Sequence, residues 1–582
     1  MHVVLTREPG GTVRVHDGAP RAVPAADLRA LVAARESDPD GGRAPRWTWD
    51  DTNRWYLDLL RAGVRVERSH DLRLVHRILR HSTAAAGSAL ATAPSGAWDA
   101  MAPTPAGVAP AVGARRAPQD DALFDLALPP PAAPAPAVEG AGTDPVAELR
   151  LQEAAVGGSA VPGRLRLLAA GESAGALVAA EMHHAGLPWR ADVHDAILTE
   201  ALGPRPREGQ RPARLEELVG RIRAALDAPP SLNPDSHPDL LKAMQYAGVG
   251  ARSLRKWELE KLDHPVVAPL LEYKNLYRLL TANGWHWLDE WVTDGRFRTE
   301  YVVGGVVTGR WSSTGGGALQ LPKGVRRAVV ADPGWCLVVA DVAQLEPRVL
   351  AGMAGDEAMA TAGRAGDLYA GIVASGAVPT RELAKVGMLG AMYGGTTGAS
   401  AQVLPRLGRE YPRAIALVEE AARTGERGGV VTTWLGRSSP APGSAWDEAQ
   451  AGAFADDAGA DAAARARSAT RSWGRFTRNF VVQGTAAEWA LCWLASIRRR
   501  LWSLGVAESV RPGRAPAPFA DRPHLAFFLH DEVVVHAPRE LADVVAAEVR
   551  AAAEEAGRLL FGDFPVDFPL TVAAVDSYAD AK

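Results

Sequence analysis

Only two cysteines, Cys336 and Cys492, occur in 582 residues, and both lie in apolar segments. That excludes a disulfide framework and points to reduced core thiols in a cytoplasmic protein. No run of eighteen apolar residues occurs, so no membrane span is expected. The opening "MHVVLTREPGG" has neither a basic stretch nor an apolar one, and does not read as a signal peptide. A GxxxxGK(S/T) loop is also lacking, which disfavours a Walker-type nucleotide site. Excess charge is missing too: the formal net charge is −4, so overall charge announces no nucleic-acid partner. A cleft can nevertheless be basic on an acidic protein.

What is present is the balance of a globular chain, 47% hydrophobic and 23% charged, long enough for several domains. Residues 1–82 carry short apolar runs and an amphipathic helical pattern. From 83 to 144 the chain turns to Ala, Pro and Gly, which reads as a disordered linker because little surface is available to bury. Helical patterning resumes at "PVAELRLQEAA" and runs to about Glu290, followed by strand signals at "FRTEYVVGGVV" and "CLVVADV". A second low-complexity insert is expected over 438–467.

Four stretches carry chemistry. In "CLVVADVAQLEPRVLAG" a buried-strand pattern ends at Asp341, and Glu346 follows in the turn before an amphipathic helix. In "LAFFLHDEVVVHA" two apolar runs flank His530, Asp531 and Glu532, predicting a hairpin that projects carboxylates from its tip. Two aspartates presented this way, without His or Cys partners, suit Mg²⁺, a hard ion that accepts substrate phosphates. A pair of such ions can activate an attacking oxygen and stabilise a leaving one. In "PTRELAKVGMLGAMYGG" Thr380 is a helix N-cap, and Arg381, Lys385, Leu389 and Tyr393 recur every four residues on one stripe. Its cations suit a triphosphate and its apolar end a sugar and base. Arg475, Asn479 and Gln483 repeat the spacing in "RFTRNFVVQGTAAEWA", with groups able to bond sugars, phosphates and minor-groove acceptors.

Taken in chain order, these stretches resemble the family A DNA polymerases, the group of bacterial DNA polymerase I. "VTGRWSS" and "LQLP" resemble the family's TGR-SS segment, "DVAQLEPRVLAGMAGDEA" its motif A, "RELAKVGMLGAMYG" its motif B, "LHDEVVV" its motif C and "RNFVVQGTAAEWA" its template- and primer-contacting helix. The resemblance covers about residues 180–582. It implies an α+β multidomain fold: a degenerate ribonuclease H-like 3′–5′ exonuclease domain at 1–82 and 145–190, and a right-hand polymerase with an antiparallel palm sheet. The thumb is expected at 191–300, the palm at 301–350 and 475–582, and the fingers at 351–474.

The resemblance implies Asp341 and Asp531 as metal ligands, with Mg²⁺ as two ions (or Mn²⁺) and Glu532 as an acidic neighbour. Arg381 and Lys385 would contact the dNTP triphosphate, Lys385 also as an acid for pyrophosphate. Gln344, Leu389, Tyr393 and His530 would line the dNTP site, and Glu346 would exclude a 2′-hydroxyl. Arg310, Gln320, Arg348, Arg475, Asn479 and Gln483 would hold primer–template DNA. Leu389 stands where the family has Phe or Tyr, Pro347 replaces an apolar residue, and Phe528 replaces a polar one.

No 5′-nuclease domain is expected. In the front domain the first exonuclease motif is missing, while Asp50, Asp51, Asp71 and Glu172 survive without their partners, so proofreading is expected to be lost. A peptide at Gln119–Phe124, "QDDALF", resembles sliding-clamp ligands. The reading is thus a monomeric, cytoplasmic, nucleoid-associated polymerase of gap-filling repair. The alternatives are an active exonuclease alongside it, a nuclease whose polymerase half only binds DNA, or a DNA-binding scaffold without catalysis.

Overall fold

The computed structural model describes residues 1–8, 10–37, 44–107, 143–364, 366–395, 398–453, 460–506 and 511–581. The front of the chain folds on a five-stranded sheet ordered Arg21–Pro24, Thr12–His16, His2–Glu8, Arg46–Trp49, Arg68–Asp71. The first three strands pair antiparallel and the last two run parallel to the first. Val13 and Val15 alternate inward, as a half-buried strand requires. Helices Thr52–Arg61 and Leu72–His81 start where Asp51 and Asp71 cap them, each carboxylate accepting a backbone N–H of the first turn.

The disordered linker expected from residue 83 is corrected for its first part. Ser82 Oγ donates to Gly436 O at 2.7 Å, and the backbone N–H of Thr83 donates to Ser438 Oγ at 2.9 Å. Leu90 is buried, and Trp98 stacks on His76 with ring centroids 6.2 Å apart. A few large side chains among many alanines suffice to dock this segment. The clamp-like peptide at Gln119–Phe124 lies outside the described residues.

Helices between Ala191 and Trp291 enclose a separate core of Leu198, Leu218, Ile222, Leu270, Tyr273 and Trp285. Next comes a four-stranded antiparallel sheet, ordered His524–Leu529, Glu532–Pro538, Trp335–Val342, Leu570–Val575. Its Trp335–Val342 strand is paired on both sides and buried almost throughout, which is why "WCLVVADV" shows no polar alternation. A third core of helices, with Met388, Leu407, Tyr411 and Val418, packs against Phe476 and Phe480.

Those two phenylalanines belong to a 44-residue helix, Ala460–Ser503. The low-complexity insert expected over 438–467 includes helix Ser444–Ala453 and the first turns of the long helix, and Gln450 Nε2 donates to Thr470 Oγ1 at 3.1 Å. Ala-rich sequence is low in complexity and also the best helix former. By length and composition the long helix could cross a membrane, but 83% of its most apolar window is buried inside this protein.

The front domain is bolted to the long helix by buried charges. Arg498 donates to both oxygens of Glu181, at 2.9 and 2.6 Å, and Tyr56 donates to the same carboxylate at 2.5 Å. Burial alone would raise the Glu181 carboxyl, yet Arg498 and Arg65 outweigh it and hold the group below its usual value of 4.5. A carboxylate held low contributes stability above its unfolded pKa and loses it on acidification. Glu181→Gln is expected to cost about 3 kcal/mol near neutral pH, because Arg498 is left buried beside a neutral partner. Its thermal midpoint should then fall less than wild type's between about pH 5 and about pH 3, a difference that differential scanning calorimetry reads directly.

Candidate active site

The two motif aspartates, 190 positions apart in sequence, are brought together by the central sheet. Asp341 sits opposite Glu532 in the ladder, and the N–H of Val342 donates to the carbonyl of Asp531 at 3.1 Å. Both aspartates are partly exposed. Backbone geometry marks the spot. Of four non-glycine residues with positive φ among those described, two flank the pair: Gln344 at φ 50° and His530 at φ 59°. Left-handed backbone costs a residue with a Cβ free energy and tends to survive where function needs a sharp turn. His530 is exposed at the tip of the two-residue hairpin turn.

Glu532 points elsewhere. It is 3% exposed, accepts the Tyr578 hydroxyl and lies 3.5 Å from Arg326, whose guanidinium stacks over the Tyr578 ring. Tyr578 and Arg326 were not singled out from sequence. The tyrosine stands in "VDSYADAK", whose position near the C-terminus was the available signal.

Thr380 caps helix Arg381–Tyr393 as expected, its Oγ1 accepting from Leu383 N at 3.2 Å. Arg381 and Lys385 are exposed, while Leu389 and Tyr393 are partly buried, so the stripe runs from charged rim to apolar floor. Arg381 already has partners that sequence reading missed: Asp367 Oδ2 at 2.6 Å and the Tyr369 ring at 5.6 Å. Asp367 stands before an apolar run and reads as a cap, which it also is, so its second contact left no local signal.

At the floor, Tyr393 donates to Glu346 Oε2 at 2.6 Å, and Arg310 pairs with Glu346 Oε1. Gln483 Nε2 reaches the Tyr393 hydroxyl at 3.4 Å, so the two stripes meet there. Burial, then the charge of Glu346, pushes the Tyr393 phenol up to about 12, keeping it a donor. Arg475 is exposed and Asn479 is 8% exposed on the same helical face. Gly394, at φ 76°, lets the backbone pass Arg475: a Cβ there would lie 2.6 Å from Arg475 Cγ. Gln320 closes a short 3₁₀ turn, and its side chain lies outside the described part of the structure.

Arg348 is corrected. Expected on DNA, it is 1% exposed and donates to the carbonyls of Ala343, Gly363, Asp567 and Gly366 at 2.8, 3.0, 3.0 and 2.5 Å. It also reaches Gln344 Oε1 at 3.3 Å, and that oxygen accepts from Leu368 N at 3.2 Å. The pair braces the turn after Asp341 from behind. Burial lowers the Arg348 guanidinium to about 10, still charged at neutral pH.

Among the described residues no group of three or more His, Cys, Asp or Glu is arranged to hold a metal ion. The site offers two carboxylates and oxygen donors only, which fits a hard divalent cation completed by substrate phosphates and water.

The family description DNA polymerase family A matches residues 240–578, more than half of the chain. The chain belongs to DNA polymerase family A. It is 28% identical over 356 residues to the thermostable DNA polymerase I of Thermus filiformis, covering 56% of this chain and 37% of that one. With the DNA polymerase I of Chloroflexus aurantiacus it shares 27% over 393 residues, 62% of this chain and 36% of the relative. The matches thus span little more than a third of these family A relatives' length. The fold resembles that of the POL domain of Pol1 from M. smegmatis, solved with DNA primer-template and dNTP. The TM-score is 0.66 at 17% identity, over 100% of this chain and 95% of that one.

The front-domain acids singled out above are engaged within the fold. Asp51 takes Arg73 Nε at 2.6 Å, and Asp71 takes Thr52 N and Oγ1, both at 2.8 Å. Burial, with Asp51 adding to it against the pull of Arg73, pushes the Asp71 carboxyl up to about 6. The segment Pro103–Ala106 lies across the same cleft, with Thr104 O accepting from Asn53 Nδ2 at 2.8 Å.

Arg348→Met should lower unfolding free energy by about 3 kcal/mol, since it strands buried carbonyls. Urea denaturation followed by tryptophan fluorescence measures it, and an unchanged midpoint would contradict the bracing role.

Proposed function

We propose that this chain is a template-directed DNA polymerase, joining dNTPs to a primer 3′-hydroxyl with release of pyrophosphate. The observation that carries the reading is that neighbouring strands of one sheet bring Asp341 and Asp531 together at their ends, while Glu346, five residues on from Asp341, is bonded by Tyr393 of the helix whose stripe begins with cations. Two divalent ions at those aspartates, Mg²⁺ by the hardness of the donors, would lower the charge and pKa at the reacting oxygens. The chain's own residues do the rest. Arg381 and Lys385, exposed on the outer turns, bind the triphosphate. Lys385 is placed to give a proton to departing pyrophosphate. Glu346, held by Arg310 and Tyr393 on opposite oxygens, is fixed as a wall beneath the sugar. A carboxylate so held leaves a deoxyribose room and meets a 2′-hydroxyl with a desolvated, already satisfied group. Gln344 and His530 shape the approach to the aspartates, while Arg310, Arg475, Asn479 and Gln483 face the primer–template. Glu532 serves by tying the hairpin to Tyr578.

In this reading the bundle at 191–300 is the thumb, 301–350 with 475–582 the palm, and 351–474 the fingers. Proofreading is lost, because Asp51 and Asp71 are committed to caps and an ion pair and the chain's own segment crosses their cleft.

On a gapped template with Mg²⁺ and dNTPs, wild type should extend the primer and Asp341→Ala should be slower by at least about a thousandfold. A mismatched primer end should not shorten. Extension surviving in Asp341→Ala would remove the site from the aspartates, and metal-dependent shortening would restore an exonuclease to the front domain. Glu346→Ala should bring ribonucleotide incorporation up by about a hundredfold relative to deoxynucleotides, read by single-nucleotide insertion kinetics.

A further inference from the structure

Glu172 is a puzzle among the front-domain acids. It is 1% exposed in helix Pro162–Ala185 of the front domain, far along the chain from every motif assigned above. Its partner is Arg437, which comes from the hairpin closed by the Thr432–Ser438 bridge and pairs with Glu172 Oε1. That hairpin is held from three sides. Gly436 O takes Ser82 Oγ, Leu435 N reaches Glu488 Oε2 at 2.9 Å, and the Arg164 guanidinium stacks over Trp434 at 3.8 Å.

The turn 304–310 rests on this ion pair. It is closed by Gly309 N to Val306 O at 2.8 Å and Val306 N to Arg310 O at 3.0 Å. Both of its ends lie against the pair. At Gly304, φ 60°, a Cβ would stand 3.5 Å from Glu172 Oε2. At Gly309, φ 88°, a Cβ would stand 2.6 Å from Arg437 Nε and 3.0 Å from its Cζ. No side chain fits between that backbone and the guanidinium, so the ion pair sets where the turn lies. The next residue is Arg310, whose guanidinium grips Glu346. A continuous path therefore runs from Glu172 through Arg437 and the turn at Gly309 to Arg310, Glu346, Tyr393 and Gln483.

We propose that Glu172 is a positioning residue for sugar selection: with Arg437 it seats the 304–310 turn so that Arg310 holds Glu346 in place. The front domain, without its own catalysis, thus contributes to the polymerase site. This rests on the polymerase reading and on Glu346 as the sugar wall.

The test compares wild type, Glu172→Gln and Glu172→Asp in single-nucleotide insertion with a dNTP and the matching rNTP. Each is paired with a thermal melt. Glu172→Gln should lower the dNTP-over-rNTP ratio of kcat/KM roughly tenfold, within what residues remote from a ligand contribute. Glu172→Asp should recover part of it. A merely structural Glu172 would lower the melting temperature and the active fraction without moving that ratio, which compares two substrates on the same molecules. If Glu172→Gln does not fold, Arg437→Lys, which keeps the charge but not the planar fork, carries the same expectation. An unchanged ratio in an active variant overturns the inference alone. Absence of any extension by wild type overturns the polymerase reading and takes this inference with it.

Discussion

The antiparallel pairing of Trp335–Val342 with Glu532–Pro538 is the constraint on which the rest depends. Its register places residue 341 opposite 532, and so beside 531. A slip of one residue would turn one aspartate into the sheet's buried face. The register is held by side chains the strands bury on both faces, from Cys336 and Leu337 to Val533 and Val535. Apolar packing of the sheet is therefore what fixes the spacing of the charges at its edge. Arg348, buried against four carbonyls, then fixes the turn that leaves the strand.

Much of this was legible in the sequence, and the reason is local. A strand ending in Asp, a hairpin with Asp at its tip and a helix with a four-residue polar repeat are each written within about a dozen positions, and backbone periodicity converts them into a face. Capping by Thr380 was legible for the same reason. What sequence concealed was tertiary. Arg348 sits two residues beyond Glu346 and reads as a second polar group of the same site, yet it points behind the turn, where only the folded chain shows acceptors. Asp367 looks like a simple cap until Arg381 arrives from fourteen residues away. Composition misled at 83–107. Alanine is equally at home in a tract that binds nothing and in a helix, and the few residues that decide, Leu90 and Trp98, are swamped in an average.

In the front domain the buried acids are tied into the fold. Asp51 and Asp71 begin helices, and Glu181 joins Arg498 where two domains meet. Carboxylates buried beside arginines are costly to remove singly, because the partner cation is stranded.

The helix Ala460–Ser503 has a consequence for how the molecule comes apart. At about 1.5 Å per residue it is roughly 66 Å long. Its Phe476 and Phe480 lie in the core around Met388 and Tyr411, while Trp489, Trp493 and Ile497 lie in the core beneath the sheet. Neither core can open fully without exposing half of the same rod, so the two are one cooperative unit for amide exchange. The bundle around Leu218 and Tyr273 keeps its own core and borrows nothing from the rod. Its amides are therefore expected to exchange independently of that unit.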